Sequence, residues 1–199
     1  MKINNRISQL LKRECGQCSS CCRDIQVDIT DTDLKRLVKQ TGITADRLVR
    51  LYGHNKDDKD AEGDWIHLSY GKRALVLNKK RNGDCIFLGM NNGCIAYKAR
   101  PMTCRIFPIC VVYDEDHDIV NLEKSEVIAD KTIQCKCSPG RGQTYDNFMS
   151  TAKKARVEHA AFIKKIDQWN SLDKKGNKND LLRYLGFKIS TNGNKSSAF

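Results

Sequence analysis

CGQCSSCC, residues Cys15 to Cys22, places four thiols within eight residues of a 199-residue chain, and what holds those sulfurs together decides the fold around them. Two residues between thiols make a tight turn that points both sulfurs at one ion, so the C-x2-C-x2-C run of Cys15, Cys18 and Cys21 reads as a metal half-site. Cys22 follows directly. Consecutive side chains of an extended chain point apart, so Cys22 is expected to serve a second site, or the far side of a larger cluster. The later thiols, Cys85-x8-Cys94-x9-Cys104-x5-Cys110 and Cys135-x-Cys137, must complete the coordination.

Ten cysteines are many for an intracellular chain of this length, yet too dilute for a disulfide-stapled miniprotein. The N-terminal MKINNRISQLLKRE is broken by charges and lacks the apolar run of about 7 to 15 residues that export requires. A cytoplasmic location is therefore expected. No stretch approaches the roughly 18 uninterrupted apolar residues of a membrane span, so no membrane partner is expected. In a reducing compartment such thiols bind metal in preference to forming disulfides.

The formal charge of +11 counts the cysteines as neutral. Thiolates gathered around two metal sites would lower it to roughly +7. Residues 151–199 carry eleven Lys and Arg against four Asp and Glu, which concentrates the excess near the C-terminus. Lys153, Lys154, Arg156, Lys164 and Lys165 are the candidate contacts for a protein partner, with nucleic acid a weaker alternative.

Local patterns give an α+β fold class. DIQVDIT alternates apolar Ile25, Val27 and Ile29 with polar residues, the period of a half-buried strand. Thr30 with Asp33 three residues on forms a capping-box variant, and Leu34, Leu37 and Val38 follow at helical spacing until Gly42 stops the helix. Thr44 is expected to open a second short helix carrying Leu48, Val49 and Tyr52. Residues 54–64 read as an exposed loop.

WIHLSYGKRALVLNKKRNGDCIFL predicts two strands around Gly71 and a turn at Asn82-Gly83, with a further turn at Asn91-Asn92-Gly93. That hairpin-like platform would deliver Cys85 and Cys94. Another strand pair follows in VVYDEDHDIVNLEKSEVIA, whose acidic run reads as the turn between strands. From Thr144 to Asn170 apolar residues recur every three or four positions and predict one long amphipathic helix with Trp169 on its apolar stripe. Asp173 to Asp180 reads as a polar linker and LLRYLGF as a last helical turn or two.

The expected architecture is a small irregular metal-stabilised domain, residues 1–142, with short β-hairpins and short helices. The helical segment 143–188 packs on it, and 189–199 form a disordered tail.

Zinc and iron-sulfur readings compete. Structural zinc usually takes two C-x2-C knuckles, and no second knuckle is present. A three-cysteine run with a remote fourth ligand suits a four-iron (4Fe-4S) cluster better, although the cysteine-proline signature is missing. The spacing is not the C-x3-C-x2-C of radical-SAM enzymes. No phosphate-binding loop, nucleophile elbow or H-E-x-x-H motif occurs. The four histidines, at 54, 67, 117 and 159, are spread out and read as solvated or packed side chains.

CGQCSSCCRDIQVDIT together with CIFLGMNNGCIAYKARPMTCRIFP resembles the YkgJ-like cysteine-cluster family of zinc- or iron-chelating domains over residues 15–140. The motif positions matched are Cys15, Cys18, Cys21, Cys22 and Arg23, then Cys85, Phe87, Leu88, Cys94, Ile95, Tyr97, Arg100, Pro101, Cys104, Arg105, Phe107 and Pro108. CSPGRG is similar to the closing segment of that family, which favours Cys137 as the eighth core thiol and leaves Cys110 and Cys135 outside the pattern. The resemblance thus implies a metal-ligand set of Cys15, Cys18, Cys21, Cys22, Cys85, Cys94, Cys104 and Cys137. Flagellin lysine-methylase has a similar cysteine cluster, so a protein-modifying enzyme is also implied, but no S-adenosylmethionine segment is recognisable here.

Around those motifs, Arg100-Pro101 is expected to fix a bend that delivers Cys104. Arg100 and Arg105 could each offset an anionic cluster or form surface ion pairs. The functional expectation is a protein holding one or two thiolate metal centres, iron-sulfur ahead of zinc, in electron transfer or protein maturation. The alternatives are a zinc-stabilised docking module that uses the basic helix, and a cluster-dependent enzyme such as a lysine methylase.

Overall fold

The computed structural model describes residues 11, 19–53, 65–116, 118–125, 144–173 and 175–190. Cys15, Cys18, Cys135, Cys137, the loop expected at 54–64, His54, His117 and the final tail from 191 lie outside the described residues. The expected α+β class is the one found, with short helices and small antiparallel sheets beside one long helix.

Strand β3, Gly71–Leu77, organises the larger sheet. One edge pairs antiparallel with β1, Val49–Gly53, in the register Val49 to Leu77, and the first part of its other edge pairs with β2, Ile66–Leu68. The alternating segment at 25–29 occupies the remainder: Leu77 N–H donates to Val27 O at 2.8 Å and Ile29 N–H to Leu75 O at 3.2 Å. Leu75, Val76 and Leu77 are all buried, so this stretch of β3 is covered on both faces.

Helix α1, Ser20–Asp24, is a single turn over the second half of the cysteine run. Helix α2, Asp31–Thr41, begins as its sequence dictates. Thr30 Oγ1 accepts from Asp33 N–H at 3.1 Å, Asp33 Oδ2 accepts from Thr30 N–H at 3.2 Å, and Gly42 closes the helix in the left-handed region at φ 69°. Its apolar stripe buries Leu34 and Leu37 completely.

Helix α3, Ala45–Leu48, is shorter than expected. Val49 and Tyr52, assigned to it from sequence, belong to β1. β-branched Val49 packs better on a pleated surface, and the ladder to β3 outweighs extending a single helical turn.

The strand pair after the cysteine segment is β4, Ile109–Tyr113, with β5, Ile119–Lys124. The acidic run forms the turn between them, with Asp114 N–H donating to Asp118 O at 3.0 Å.

The long helix, α5, runs Tyr145–Asn170 with Thr144 Oγ1 accepting from Asn147 N–H. It spans about 39 Å at 1.5 Å per residue, enough to serve two cores. Phe148 and Ala152 join Ile109 and Leu122 in a small one, whereas Phe162, Ile166 and Trp169 join Leu34, Leu37 and Phe87 in the main one. At its end Asn170 imitates a strand, accepting from His67 N–H at 2.8 Å and donating to Trp65 O at 2.7 Å, while Trp169 Nε1 donates to His67 O. The open edge of β2 is thereby covered.

Not all the basic residues of α5 face solvent. Lys165 donates to buried Asp31 at 2.5 Å, and Arg156 lies over the Tyr113 ring, which leaves Lys153, Lys154 and Lys164 as exposed cations.

A final helix, α6, Lys178–Tyr184, starts inside the expected linker because Asn177 and Asp180 form a second capping box. Residues 189 and 190, expected to belong to a disordered tail, are packed on the fold. Ile189 packs on the main core, and Ser190 Oγ donates to Asp46 Oδ2 at 2.8 Å. Among the described residues no helix is long and apolar enough to cross a membrane.

Candidate metal centre

The cysteine-bearing stretch from Lys79 to Ile106 has little regular structure, so turns must satisfy its backbone. Gly83, at φ 87°, turns back so that Lys80 N–H reaches Asp84 O at 2.7 Å. Cys85 O accepts from Leu88 N–H, Gly89 N–H donates to Gly93 O, and Asn92 takes the left-handed φ of 61° that the tight turn demands. Isolated bridges join Lys79 to Cys85 and Leu88 to Cys94, which is the expected platform in minimal form.

After a 3-10 turn at Tyr97–Ala99, Arg100 and Pro101 run extended, with ψ 138° and 153°. The bend expected at Arg100-Pro101 is present. It sets up helix α4, Met102–Ile106, which carries Cys104.

Two contacts clip the first cysteine motif onto the second. Cys85 N–H donates to Cys22 O at 2.7 Å. Arg23, directly after the double cysteine, pairs through Nε with Asp84 at 3.3 Å, donates from Nη2 to Asn92 Oδ1 at 2.9 Å, and reaches Ser19 Oγ with Nη1. One side chain thus ties α1 to the turns flanking Cys85 and Cys94. Arg23 could be read from sequence as a motif residue, but Asp84 and Asn92, the partners that join it to the second motif, lie some 60 to 70 positions away and leave no local signal.

Five thiols converge as a result. Cys21, Cys22, Cys85, Cys94 and Cys104 line one cavity of about 70 Å³, walled by Val27, Leu77, Phe87 and Phe107. The reason given for separating Cys21 from Cys22 needs correction: the pair sits in a helical turn, not an extended chain, and both residues line the same cavity. Cys110 is exposed on β4, away from this set.

Arg100 lines the cavity too. Its guanidinium stacks 3.7 Å from the Tyr97 ring centroid and its Nε donates to Tyr97 O at 3.1 Å. Arg105 turns away, donating to the carbonyls of Arg100 and Lys98, so it braces the bend and has no seat at the thiols.

The thiols that line the cavity differ in their electrostatics. Burial pushes the Cys85 thiol up to about 11 despite a hydrogen bond from the Phe87 backbone N–H, and burial likewise raises Cys104. Cys22 goes the other way, to about 7, chiefly through its hydrogen bond with Cys21, with Arg23 and Arg100 adding positive potential against the effect of burial. Apolar walls make thiolates costly unless a thiophilic cation compensates, and this donor set fits zinc or iron. Among the described residues no group of three or more His, Cys, Asp or Glu is placed so that it could hold a metal ion.

A family model described as "CxxCxxCC: Putative zinc- or iron-chelating domain" matches residues 14–138, well over half of the chain. The chain belongs to this family. The YkgJ-like resemblance carried by the two cysteine motifs is thereby shown, and its expected span agrees closely with the match. The CxxCxxCC family brings metal chelation, by zinc or iron, as its general property. No curated protein and no solved structure matches the chain.

Proposed function

We propose that this CxxCxxCC protein holds a thiolate centre of more than one metal ion, iron-sulfur in preference to zinc, and that it works in electron transfer or in the maturation of another protein. The supporting observation is the gathering of Cys21, Cys22, Cys85, Cys94 and Cys104 around one apolar cavity. A tetrahedral zinc ion is saturated by four thiolates. Five around one space, with Cys15, Cys18 and Cys137 proposed to complete the set, suit a polynuclear centre better.

A position near the surface favours electron exchange. Cys94 is flanked by turn residues Met90 and Ile95, both fully or largely exposed, so a partner could approach within a few residues of the sulfurs.

Ligand substitutions test this reading. Cys104→Ser and Cys94→Ser are expected to lower the metal bound per chain sharply, while Cys110→Ser leaves it unchanged. The readout is elemental analysis of each variant purified identically. Equal metal loading in wild type and Cys104→Ser would contradict the assignment.

A further inference from the structure

The turns that bring Cys85 and Cys94 to the thiol cavity also build an outward surface. Between Gly89 and Gly93 the chain folds back: Gly89 N–H donates to Gly93 O at 2.8 Å and Asn92 N–H to Gly89 O at 3.1 Å, which leaves Met90 fully exposed in the turn. A Cβ on Gly89 would lie 3.2 Å from Ile95 Cγ2, so Ile95 rests over this turn while remaining 65% exposed itself. Tyr97 follows at 37% exposure, with the Arg100 guanidinium on its ring. A single exposed apolar side chain is ordinary. Met90, Ile95 and Tyr97 grouped on the cysteine-bearing turns mark a contact surface.

Charge identifies the kind of partner. Residues 79–107 hold Lys79, Lys80, Arg81, Lys98, Arg100 and Arg105 against one acid, Asp84, which is already paired with Arg23. Arg23 and Asp24 of α1 add no net charge. None of the six cations forms an ion pair with a carboxylate among the described residues.

Several of these cations bond to neutral carbonyls, which leave their charge uncompensated. Lys79 donates to Arg23 O at 2.8 Å, Lys80 to Leu88 O at 2.5 Å and Arg105 to Arg100 O at 2.9 Å. The contact to Leu88 holds the Lys80 ammonium beside the start of the Met90 turn. Arg81 and Lys98 stand at exposed turn positions on either side. A thiolate centre of about two negative charges offsets only part of this excess.

We propose that this surface docks an acidic protein, with Met90 and Ile95 against an apolar residue of the partner and surrounding carboxylates toward Lys80, Arg81 and Lys98. An apolar centre bordered by charge is the make-up of a protein contact, in which Met, Tyr and Arg are enriched. The cations would steer an acidic partner to the metal centre. A nucleic acid fits less well, since Arg100 occupies one face of Tyr97, and Met90 and Ile95 offer no plane on which a base could stack. As a route for electrons the surface rests on the electron-transfer reading above; as a docking face it does not.

Fluorescence anisotropy on the full-length, metal-containing protein tests the proposal, with a dye-labelled, Glu-rich peptide carrying a central Phe as probe. Saturable binding is expected, weakening as salt is raised. A peptide with Lys in place of Glu should not bind, and one with Ser in place of Phe should bind more weakly. Arg81→Glu and Lys98→Glu should each weaken binding about three- to tenfold, and Met90→Asp about tenfold or more. All three side chains are exposed, so the fold is retained. Lys153→Glu on α5, the other basic face, should leave binding unchanged. Absence of saturable binding, equal losses from Lys153→Glu and Lys98→Glu, or tighter binding of a dye-labelled single-stranded oligonucleotide would overturn the proposal. Elemental analysis of the same samples separates the two readings. Iron without peptide binding removes the docking face and leaves the metal centre, whereas peptide binding by a zinc-loaded protein leaves the face and removes its use for electrons.

Discussion

At the scale of single residues, the two arginines of the YKARPMTCR segment illustrate what sequence can and cannot assign. Both are motif positions with equal claim to the thiols. Only the fold separates them, because Arg105 spends its donors on the carbonyls of Lys98 and Arg100 while Arg100 lies flat on Tyr97 at the cavity wall. Removing the charge in Arg100→Leu is expected to weaken metal retention by roughly 10- to 100-fold, as for other outer-sphere partners, and Arg100→Lys should recover part of it. Competition with a chromogenic chelator measures this, and unchanged retention in Arg100→Leu would contradict the role. Asp31 makes a different point, since nothing in the capping pattern marks it as buried. Burial alone would raise its carboxyl, but hydrogen bonds and charge from Lys165 and Lys35 outweigh that and hold it below the ordinary 3.8. A carboxyl depressed on folding contributes stability above its unfolded value, and that contribution is lost as pH falls below about 4. Lys165→Met should therefore cost about 1 to 3 kcal/mol at neutral pH, the lower part of the range for a broken buried pair, since the Lys165 side chain is itself 40% exposed. Urea denaturation should show the difference shrinking near pH 3, and a cost independent of pH would count against the pairing.

At the scale of elements, legibility followed the range of the physics. Caps and stops are local, so Thr30, Asp33 and Gly42 could be placed from sequence and sit where expected. The end of α3 was not legible in this way, because Val49 leaves the helix for a partner strand 28 positions away. The start of α6 was missed for a local reason: Asn177 with Asp180 is a capping pair that the charged linker composition obscured. Gly176, just before that cap, is held by more than conformational freedom. A Cβ there would lie 2.6 Å from Asp180 Cβ and 3.0 Å from the Trp169 ring, while its carbonyl accepts from Ser69 N–H. Gly176→Ala is expected to shift α6 and cost about 1 to 3 kcal/mol, the usual penalty for overpacking. Thermal and urea unfolding would register this, and a neutral effect would mean that the cap relaxes freely. Thr30→Ala should cost about 1 kcal/mol as a lost cap, with the greater part of any excess coming from Asp33, which also fixes the Met102 N–H at the start of α4.

At the scale of the whole molecule, the cysteine spacing announced a metal site, yet its shape depended on contacts that no spacing encodes. Cys22 and Cys85 meet through a backbone hydrogen bond across 63 positions, and Arg23 locks the same junction through Asp84 and Asn92. The main core then supports the site from beneath, with buried Phe87 forming part of both the cavity wall and the packing around Leu34 and Trp169. A cavity of about 480 Å³ lined by residues of β3, α4 and the middle of α5, Asp28 and His159 among them, was invisible in the sequence for a similar reason. Asp28 read as the polar half of an alternating strand and His159 as a solvated residue, and only the passage of α5 between two cores brings them into one space. The central claim is that the gathered thiols hold a polynuclear iron-sulfur centre. The most direct test is the iron, zinc and acid-labile sulfide content, with a visible absorption spectrum, of protein purified without oxygen and without added metal. Iron with matching sulfide and a broad visible band is the result this account expects. Colourless protein carrying zinc and no sulfide, or carrying no metal, would contradict it.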